Sequence, residues 1–134
     1  MPPPPRALGL RVLLVDDEVS VCQSMGRILT RVGYDVTVAR SGPEALAAIA
    51  GAEFAAVVTD HNMPGMSGGE LIDRILAEAP HLREHIIITS GNLQTDETQA
   101  LVARTGCLAL EKPFRLSDLA DAVTRATQGV KSPR

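Results

Sequence analysis

Apolar and polar residues follow two different patterns along this chain. Five short runs are apolar on both faces, as expected of strands in a parallel sheet that helices cover on each side. These runs lie at residues 11–15, 36–39, 54–59, 86–89 and 108–110. After each run, apolar residues recur every three or four positions, which predicts a helix. Five strand–helix repeats in this order predict an α/β, doubly wound, five-stranded parallel sheet with five helices.

Local signals mark where several of the predicted helices begin or end. Gly33 follows the first helix and is suited to its C-terminal cap. Ser41 and Ser67 each stand three residues before a glutamate, and this spacing predicts a capping box at the start of the second and third helices. The fourth helix, over residues 96–104, has the weakest apolar pattern.

The length of 134 residues fits a single compact domain. The folded unit is expected over residues 11–128. Residues 1–10 are expected to form a proline-containing N-terminal tail, and residues 129–134 a C-terminal tail.

Composition excludes several classes of function. Sixteen acidic residues against thirteen Lys and Arg give a net charge of −3, which argues against non-specific nucleic-acid binding. Cys22 and Cys107 are too far apart in sequence to form a CxxC motif, and they are expected to be buried free thiols. No apolar run reaches the ~20 residues that span a bilayer, and no signal peptide is evident. We therefore expect a cytoplasmic protein with no membrane insertion.

The residues at the predicted strand ends suggest the chemistry. Asp16 and Asp17 follow the first strand, Asp60 the third, Ser90 the fourth and Lys112 the fifth. Carboxyl ends of parallel strands meet at one edge of the sheet, where ligands bind in such folds. Carboxylates crowded there would repel each other, and a Mg²⁺ ion would relieve that repulsion. An aspartate can also carry phosphate as an acyl phosphate.

Four motifs in order along the chain carry a resemblance to a known family. They are Leu-Val-Asp-Asp-Glu at 14–18, Thr-Asp-His-Asn-Met-Pro at 59–64 followed by Gly68, Thr-Ser-Gly at 89–91, and Lys-Pro-Phe at 112–114. Over residues 12–126 the chain resembles the receiver domain of two-component response regulators. The resemblance implies a flavodoxin-like (βα)5 fold with strand order 2-1-3-4-5.

The resemblance also implies roles for the acidic residues. Asp60 would be the phospho-acceptor, supplied by a phosphohistidine on a histidine kinase or a histidine phosphotransfer protein. Asp17 would ligate Mg²⁺ directly, and Asp16 would help, partly through water. Asp60 itself and the main-chain carbonyl of Asn62 would complete the protein ligands.

The remaining site residues follow from the last two motifs. Lys112 would pair with Asp60 and then with its phosphate, and its bond to Pro113 would be cis. Ser90 is preferred over Thr89 as the hydroxyl that contacts the phosphoryl group, because a small residue follows Ser90 and Thr89 would point to the opposite face. Many receivers carry a Tyr or Phe where this chain has Ala109, so the usual aromatic relay is missing.

Three histidines and two asparagines lie near the predicted strand ends. His61 follows the acceptor in a loop and is expected to be solvent-exposed. His81 and His85 flank a helix-to-strand loop and are also expected at the surface. Asn62 and Asn92 occupy positions that, in receivers, influence how long the phosphate lasts.

Three functions compete at this point. The first is a signalling receiver that catalyses only its own Mg²⁺-dependent phosphorylation and dephosphorylation. The second is a degenerate receiver that acts as a protein-binding module, and the third is a small Mg²⁺-dependent aspartyl-phosphate phosphatase. A homodimer through the fourth helix, fifth strand and fifth helix is a further expectation. The sequence fits a stand-alone regulator and equally a receiver excised from a larger protein such as a hybrid histidine kinase.

Overall fold

A single parallel sheet forms the centre of the computed structural model, which describes residues 9–128. The five strands are β1 (Arg11–Val15), β2 (Asp35–Ala39), β3 (Ala56–Asp60), β4 (Ile86–Ser90) and β5 (Leu108–Glu111). Their order in the sheet is β2-β1-β3-β4-β5, and every pair is parallel. The predicted doubly wound fold and strand order are therefore confirmed. The tails predicted at 1–10 and 129–134 fall mostly outside the described residues.

Each strand is followed by a helix. The helices are α1 (Val19–Val32), α2 (Gly42–Gly51), α3 (Gly68–Glu78), α4 (Asp96–Thr105) and α5 (Leu116–Ala126), with a 3-10 turn at Pro80–Leu82. The predicted caps are present: the hydroxyls of Ser41 and Ser67 accept hydrogen bonds from the N–H groups three residues on. Gly33 ends α1 with a φ of 117°, a conformation that glycine adopts without strain.

The core has two parts, one on each face of the sheet. Leu13, Val57 and Ile88 point to the face covered by α2 and α3, and α4 contributes Leu101 to that cluster. The residues that alternate with them, such as Leu14 and Val58, point to the face covered by α1 and α5. This period of two is the property of a strand buried on both sides, and it explains why the strands are apolar throughout.

The third strand begins later than the sequence predicts. The apolar run predicts a strand that includes Phe54 and Ala55, but pairing with β1 starts at Ala56. Both residues are nonetheless buried. They are apolar because they pack against the core, which a hydrophobicity pattern does not distinguish from strand pairing.

Two polar contacts fix the C-terminal end of α5. The Tyr34 hydroxyl lies 3.2 Å from Oγ1 of Thr127, and Nδ1 of His85 lies 2.5 Å from the carbonyl oxygen of Ala126. His85 is half-buried, so its predicted surface position is wrong, because the α5 terminus lies over it. His81 is exposed, as expected. None of the helices within residues 9–128 has the length and apolar character needed to cross a membrane.

The register of the strands brings their carboxyl ends to one edge of the sheet. Val15 is paired with Thr59, and Asp60 is paired with Thr89. Residues that follow β1, β3, β4 and β5 therefore meet at this edge, which is where the sequence placed the candidate chemistry.

Candidate functional site

Three carboxyl groups meet at the carboxyl edge of the sheet. Asp16 and Asp17 follow β1, and Asp60 is the last residue of β3. One carboxylate oxygen from each lies within 4.8 Å of the others. Asp16 is 3% exposed and Asp60 is 4% exposed, so two of the three acids are held away from water. The acidic cluster predicted from the sequence is thus brought together as expected.

The pKa of Asp16 reflects its burial and the charged groups around it. Burial, more than any other effect, raises the pKa of the Asp16 carboxyl above its usual value of 3.8. The neighbouring carboxylates of Asp60 and Asp17 raise this pKa further. The main-chain N–H of Glu18, which donates to Asp16 at 3.0 Å, and the ammonium of Lys112 both lower it. Burial and repulsion outweigh these two, so the ionised cluster favours an added cation.

The donor set fits Mg²⁺. That ion prefers hard oxygen ligands, keeps several waters and is usually held by one or two carboxylates. Asp16, Asp17 and Asp60 supply only oxygen donors, and their closeness suits a hard divalent cation.

Lys112 supplies one positive charge to the cluster. Its Nζ lies 3.2 Å from Oδ1 of Asp60 and 3.9 Å from Oδ2 of Asp16. The main-chain N–H of Lys112 donates to the carbonyl of Ser90 at 2.7 Å, which fixes the residue against the end of β4. The Lys112–Pro113 peptide bond is cis, as predicted. The ammonium can therefore contact the acceptor carboxylate, or an oxygen added to it, without leaving the site.

The loop after Asp60 is tied to its neighbours by main-chain contacts. The N–H of His61 donates to the carbonyl of Thr89 at 2.8 Å, and the N–H of Gly68 donates to the carbonyl of His61 at 2.9 Å. Asn62 is exposed, and its N–H donates to Oδ1 of Asp60 at 3.4 Å. A Cβ on Gly68 would lie 2.7 Å from Cα of His61 and closer still to the carbonyl oxygen of Asp60. Only glycine fits there.

The two candidate hydroxyls lie on opposite faces of β4. Ile88 and Ser90 belong to the face of α3 and α4, whereas Thr89 alternates with them. Ser90 is a short distance from Asn92: its Oγ accepts from the N–H of Asn92 at 3.2 Å and lies 3.3 Å from its carbonyl oxygen. Ala109 packs on the same face as Ser90. The preference for Ser90 stays a prediction that fits this arrangement.

His61 is buried, and the prediction that it is exposed is wrong. It is 8% exposed, because the alternation along the chain turns its ring away from Asp60 and under α4. Its Nε2 lies 3.4 Å from Oε1 of Glu97. Gly69 is also near the ring, and a Cβ built there would lie 3.7 Å from Cε1 of His61 and 3.4 Å from Leu101, which are ordinary contacts. No motif in the sequence signals the burial of His61.

Both cysteines are free and buried, as expected from their spacing. Burial is the main reason why the pKa of each thiol, Cys22 and Cys107, is raised. Neither sulfur belongs to the acidic cluster.

Comparison with known proteins agrees with the geometry. The sequence profile of the response regulator receiver domain matches residues 12–124. The response regulator protein FleR of Pseudomonas aeruginosa is 30% identical over 122 residues, which is 91% of this chain and 25% of that protein. The transcriptional regulatory protein TcrA of Mycobacterium tuberculosis is 32% identical over 114 residues, which is 85% of this chain and 44% of that protein. The chain thus spans less than half the length of these curated relatives.

Solved structures give the same result at the level of the fold. The chemotaxis protein CheY4 of Vibrio cholerae superposes with a TM-score of 0.79 at 30% identity, over 87% of this chain and 98% of that one. A Francisella response regulator receiver domain superposes with a TM-score of 0.78 at 29% identity, over 91% of this chain and 99% of that one. With the profile, the fold and the acidic edge in agreement, the chain belongs to the response regulator receiver domain family.

Proposed function

We propose that Asp60 is the phospho-acceptor of this receiver and that it takes a phosphoryl group from a phosphohistidine of a histidine kinase or a histidine phosphotransfer protein. The observation that carries the proposal is the position of the Asp60 carboxylate, buried in the acidic cluster with Nζ of Lys112 at 3.2 Å. A nucleophile and a counter-charge for the transferred group are thereby held within contact of each other.

The transfer is a substitution at phosphorus. A carboxylate oxygen of Asp60 forms the new P–O bond while the N–P bond to the partner's imidazole breaks, and that imidazole keeps the electron pair and takes up a proton. Lys112 then pairs with the oxygens of the phosphoryl group, where negative charge is spread. Asp16, Asp17, Asp60 and the main-chain carbonyl of Asn62 are the residues that would hold Mg²⁺. When bound, this ion supplies further positive charge next to the phosphoryl oxygens.

Ser90 is the hydroxyl that we assign to the phosphoryl oxygens, with Thr89 as the alternative. Its Oγ is held by Asn92 in the unphosphorylated protein and can exchange that contact for an oxygen on Asp60. Asn62 and Asn92 are exposed beside the site, so they are placed to influence the approach of the water that hydrolyses the acyl phosphate. Exchanging either for alanine should change the lifetime of the phosphate.

We also propose a location and an assembly for this receiver. A cytoplasmic location is consistent with exchange of phosphoryl groups between proteins. A homodimer through α4, β5 and α5 would join two copies through the side of the fold opposite β2. Sedimentation of the unphosphorylated and phosphorylated protein measures that association directly.

The test of the proposed function is incubation with acetyl phosphate and Mg²⁺, followed by intact-mass measurement. We expect one phosphoryl adduct on the wild type and none on Asp60→Asn. Asp73→Asn serves as the matched control, because Asp73 is an exposed aspartate on α3 outside the acidic cluster. An adduct that persists in Asp60→Asn contradicts the assignment.

Two other outcomes would replace the proposal. If neither an adduct nor Mg²⁺ binding is detected, the result would favour a degenerate receiver that acts as a protein-binding module. Sustained release of phosphate from small phosphomonoesters would instead indicate a phosphatase.

A further inference from the structure

Helix α4 is held to the sheet by little apolar contact. Its three buried residues are Thr98, Leu101 and Thr105, and only one of these is apolar. Leu101 is 2% exposed and belongs to the core cluster on that face, with Val102 packed partly against it. Because apolar burial is the main source of packing free energy, one leucine gives the helix a weak anchor.

Polar contacts at the two ends of α4 add to this anchor. At the C-terminal end, Nη2 of Arg104 lies 3.0 and 2.9 Å from the carboxylate oxygens of Asp73, and Arg83 donates to the carbonyl of Thr105. At the N-terminal end, Glu97 lies 3.4 Å from Nε2 of His61. The first pair joins α4 to α3, whereas the second joins it to the loop of the phospho-acceptor.

His61 is fixed to the acceptor through its main chain and to α4 through its ring. It is bonded to Asp60 and hydrogen-bonded to β4 and α3. Its side chain is only 10% exposed, and Nδ1 is buried without a hydrogen-bond partner within residues 9–128. His61 is thus joined to the acceptor loop by its main chain and to α4 by a nearly buried ring.

We propose that His61 is a positioning residue that couples the state of Asp60 to the first turn of α4 through Glu97. The coupling rests on the proposed phosphorylation of Asp60. A phosphoryl group changes the charge and size of the acceptor, the adjoining main chain adjusts, and the imidazole moves with it. The contact with Glu97 transmits this movement to a helix whose apolar anchor is a single leucine, so α4 changes position.

Three substitutions on α4 test the coupling without altering the site. Glu97→Ala removes the carboxylate that faces His61, and Glu97→Gln restores an oxygen acceptor without its charge. Asp96→Ala is the matched control, since Asp96 is an exposed acid in the same first turn. Each protein is treated with acetyl phosphate and Mg²⁺ at matched concentrations, and its adduct is quantified by intact mass.

The readout is the position of α4, which a general loss of stability would not mimic. Phosphorylation-dependent changes in the amide chemical shifts of α4 should fall at least threefold in Glu97→Ala and recover by more than half in Glu97→Gln. They should stay at the wild-type level in Asp96→Ala, with equal adduct in all four proteins. Without phosphate, amide hydrogen exchange in α4 should be at least threefold faster in Glu97→Ala than in Asp96→Ala.

The outcomes separate the coupling from the function on which it rests. Equal adducts with equal α4 shifts in every protein overturn the coupling and leave the function standing. No adduct on any protein overturns the proposed function. The hydrogen-exchange measurement needs no phosphate, and equal exchange in Glu97→Ala and Asp96→Ala would then also overturn the His61 contact as a restraint on α4.

Discussion

Helices α4 and α5 come before and after the same strand, β5, yet they are attached to the fold by different means. Helix α5 buries four residues, all apolar: Leu119, Ala122, Val123 and Ala126. Helix α4 buries two threonines and one leucine. Burying a leucine contributes about 1.5–3 kcal/mol, so α5 is part of the global core, whereas α4 is attached by one apolar residue and a few polar contacts.

Helix α5 therefore contributes to the global stability of the fold, whereas α4 can change its position when the site changes. Polar contacts at the surface are worth little individually, and helices held by them open with a smaller free energy than core helices. A chemical event at Asp60 can therefore move α4 at an energy that would leave α5 in place.

The largest effect should come from shortening the leucine that anchors each helix. Leu119→Ala should lower the free energy of unfolding by about 3 kcal/mol, because it leaves a cavity in the core. Leu101→Ala should lower it by about half as much, since the loss cannot exceed the free energy that holds α4 closed. Urea unfolding measures both. Equal losses would show that α4 is as firmly attached as α5.

The next effect is expected for Gly68, at the end of the loop that connects Asp60 to α3. Gly68→Ala should cost about 2 kcal/mol, because its methyl group would overlap the main chain of Asp60 and His61. Gly69→Ala is the matched control: its methyl group would meet Leu101 at 3.4 Å, an ordinary contact, and alanine favours the helix. Thermal unfolding of both variants measures the difference in their stability. A Gly68→Ala protein as stable as Gly69→Ala would contradict the close approach.

The two cysteines allow α4 to be compared with a distant part of the fold. Cys107 follows α4, whereas Cys22 lies on α1, where it borders a groove together with Val36 and Val38 of β2. Burial raises the pKa of both thiols, so at pH 8 each reacts slowly unless its surroundings open, and both rates should rise with pH as thiolate forms.

We expect Cys107 to react with dithionitrobenzoate about ten times faster than Cys22, a ratio equivalent to about 1.4 kcal/mol. Cys22→Ala and Cys107→Ala isolate each thiol for the measurement. Equal labelling rates would show that α4 opens no more readily than the surroundings of Cys22 on α1.

The smallest effect is expected for the ion pair between α3 and α4. Asp73 and Arg104 are both about half exposed, so a double-mutant cycle with alanine should give roughly 0.5 kcal/mol, decreasing with added salt. Glu70 and Arg74, within α3, form the control pair at 3.8 Å. A coupling several times larger would show that α4 is held more firmly at its C-terminal end than proposed.

Much of the fold could be predicted because the strands are short, apolar and regularly spaced. Ser41, Ser67 and Gly33 marked helix ends through local chemistry, which tertiary contacts did not override. The start of β3 was missed, since Phe54 is apolar for packing and pairs with no strand. The weak pattern of α4 was visible in the sequence, and it corresponds to a helix with one buried apolar residue.

The site could be predicted where strand order brings residues together. Asp16, Asp60 and Lys112 meet because β1, β3 and β5 run parallel, so the carboxyl ends of these strands lie at one edge of the sheet. The burial of His61 could not be predicted in this way. It depends on the side to which one loop residue turns and on the position of α4 above it, and neither property is a feature of a single strand.

Tyr34, whose hydroxyl contacts Thr127 just after α5, is an intrinsic fluorescent probe of that end of the helix. The sequence contains one tyrosine and no tryptophan, so intrinsic fluorescence arises from this single ring. The ring is 4% exposed and its environment includes the last turn of α5. Emission should therefore change when α5 separates from the sheet and stay constant when α4 alone moves, which distinguishes the two helices without any label.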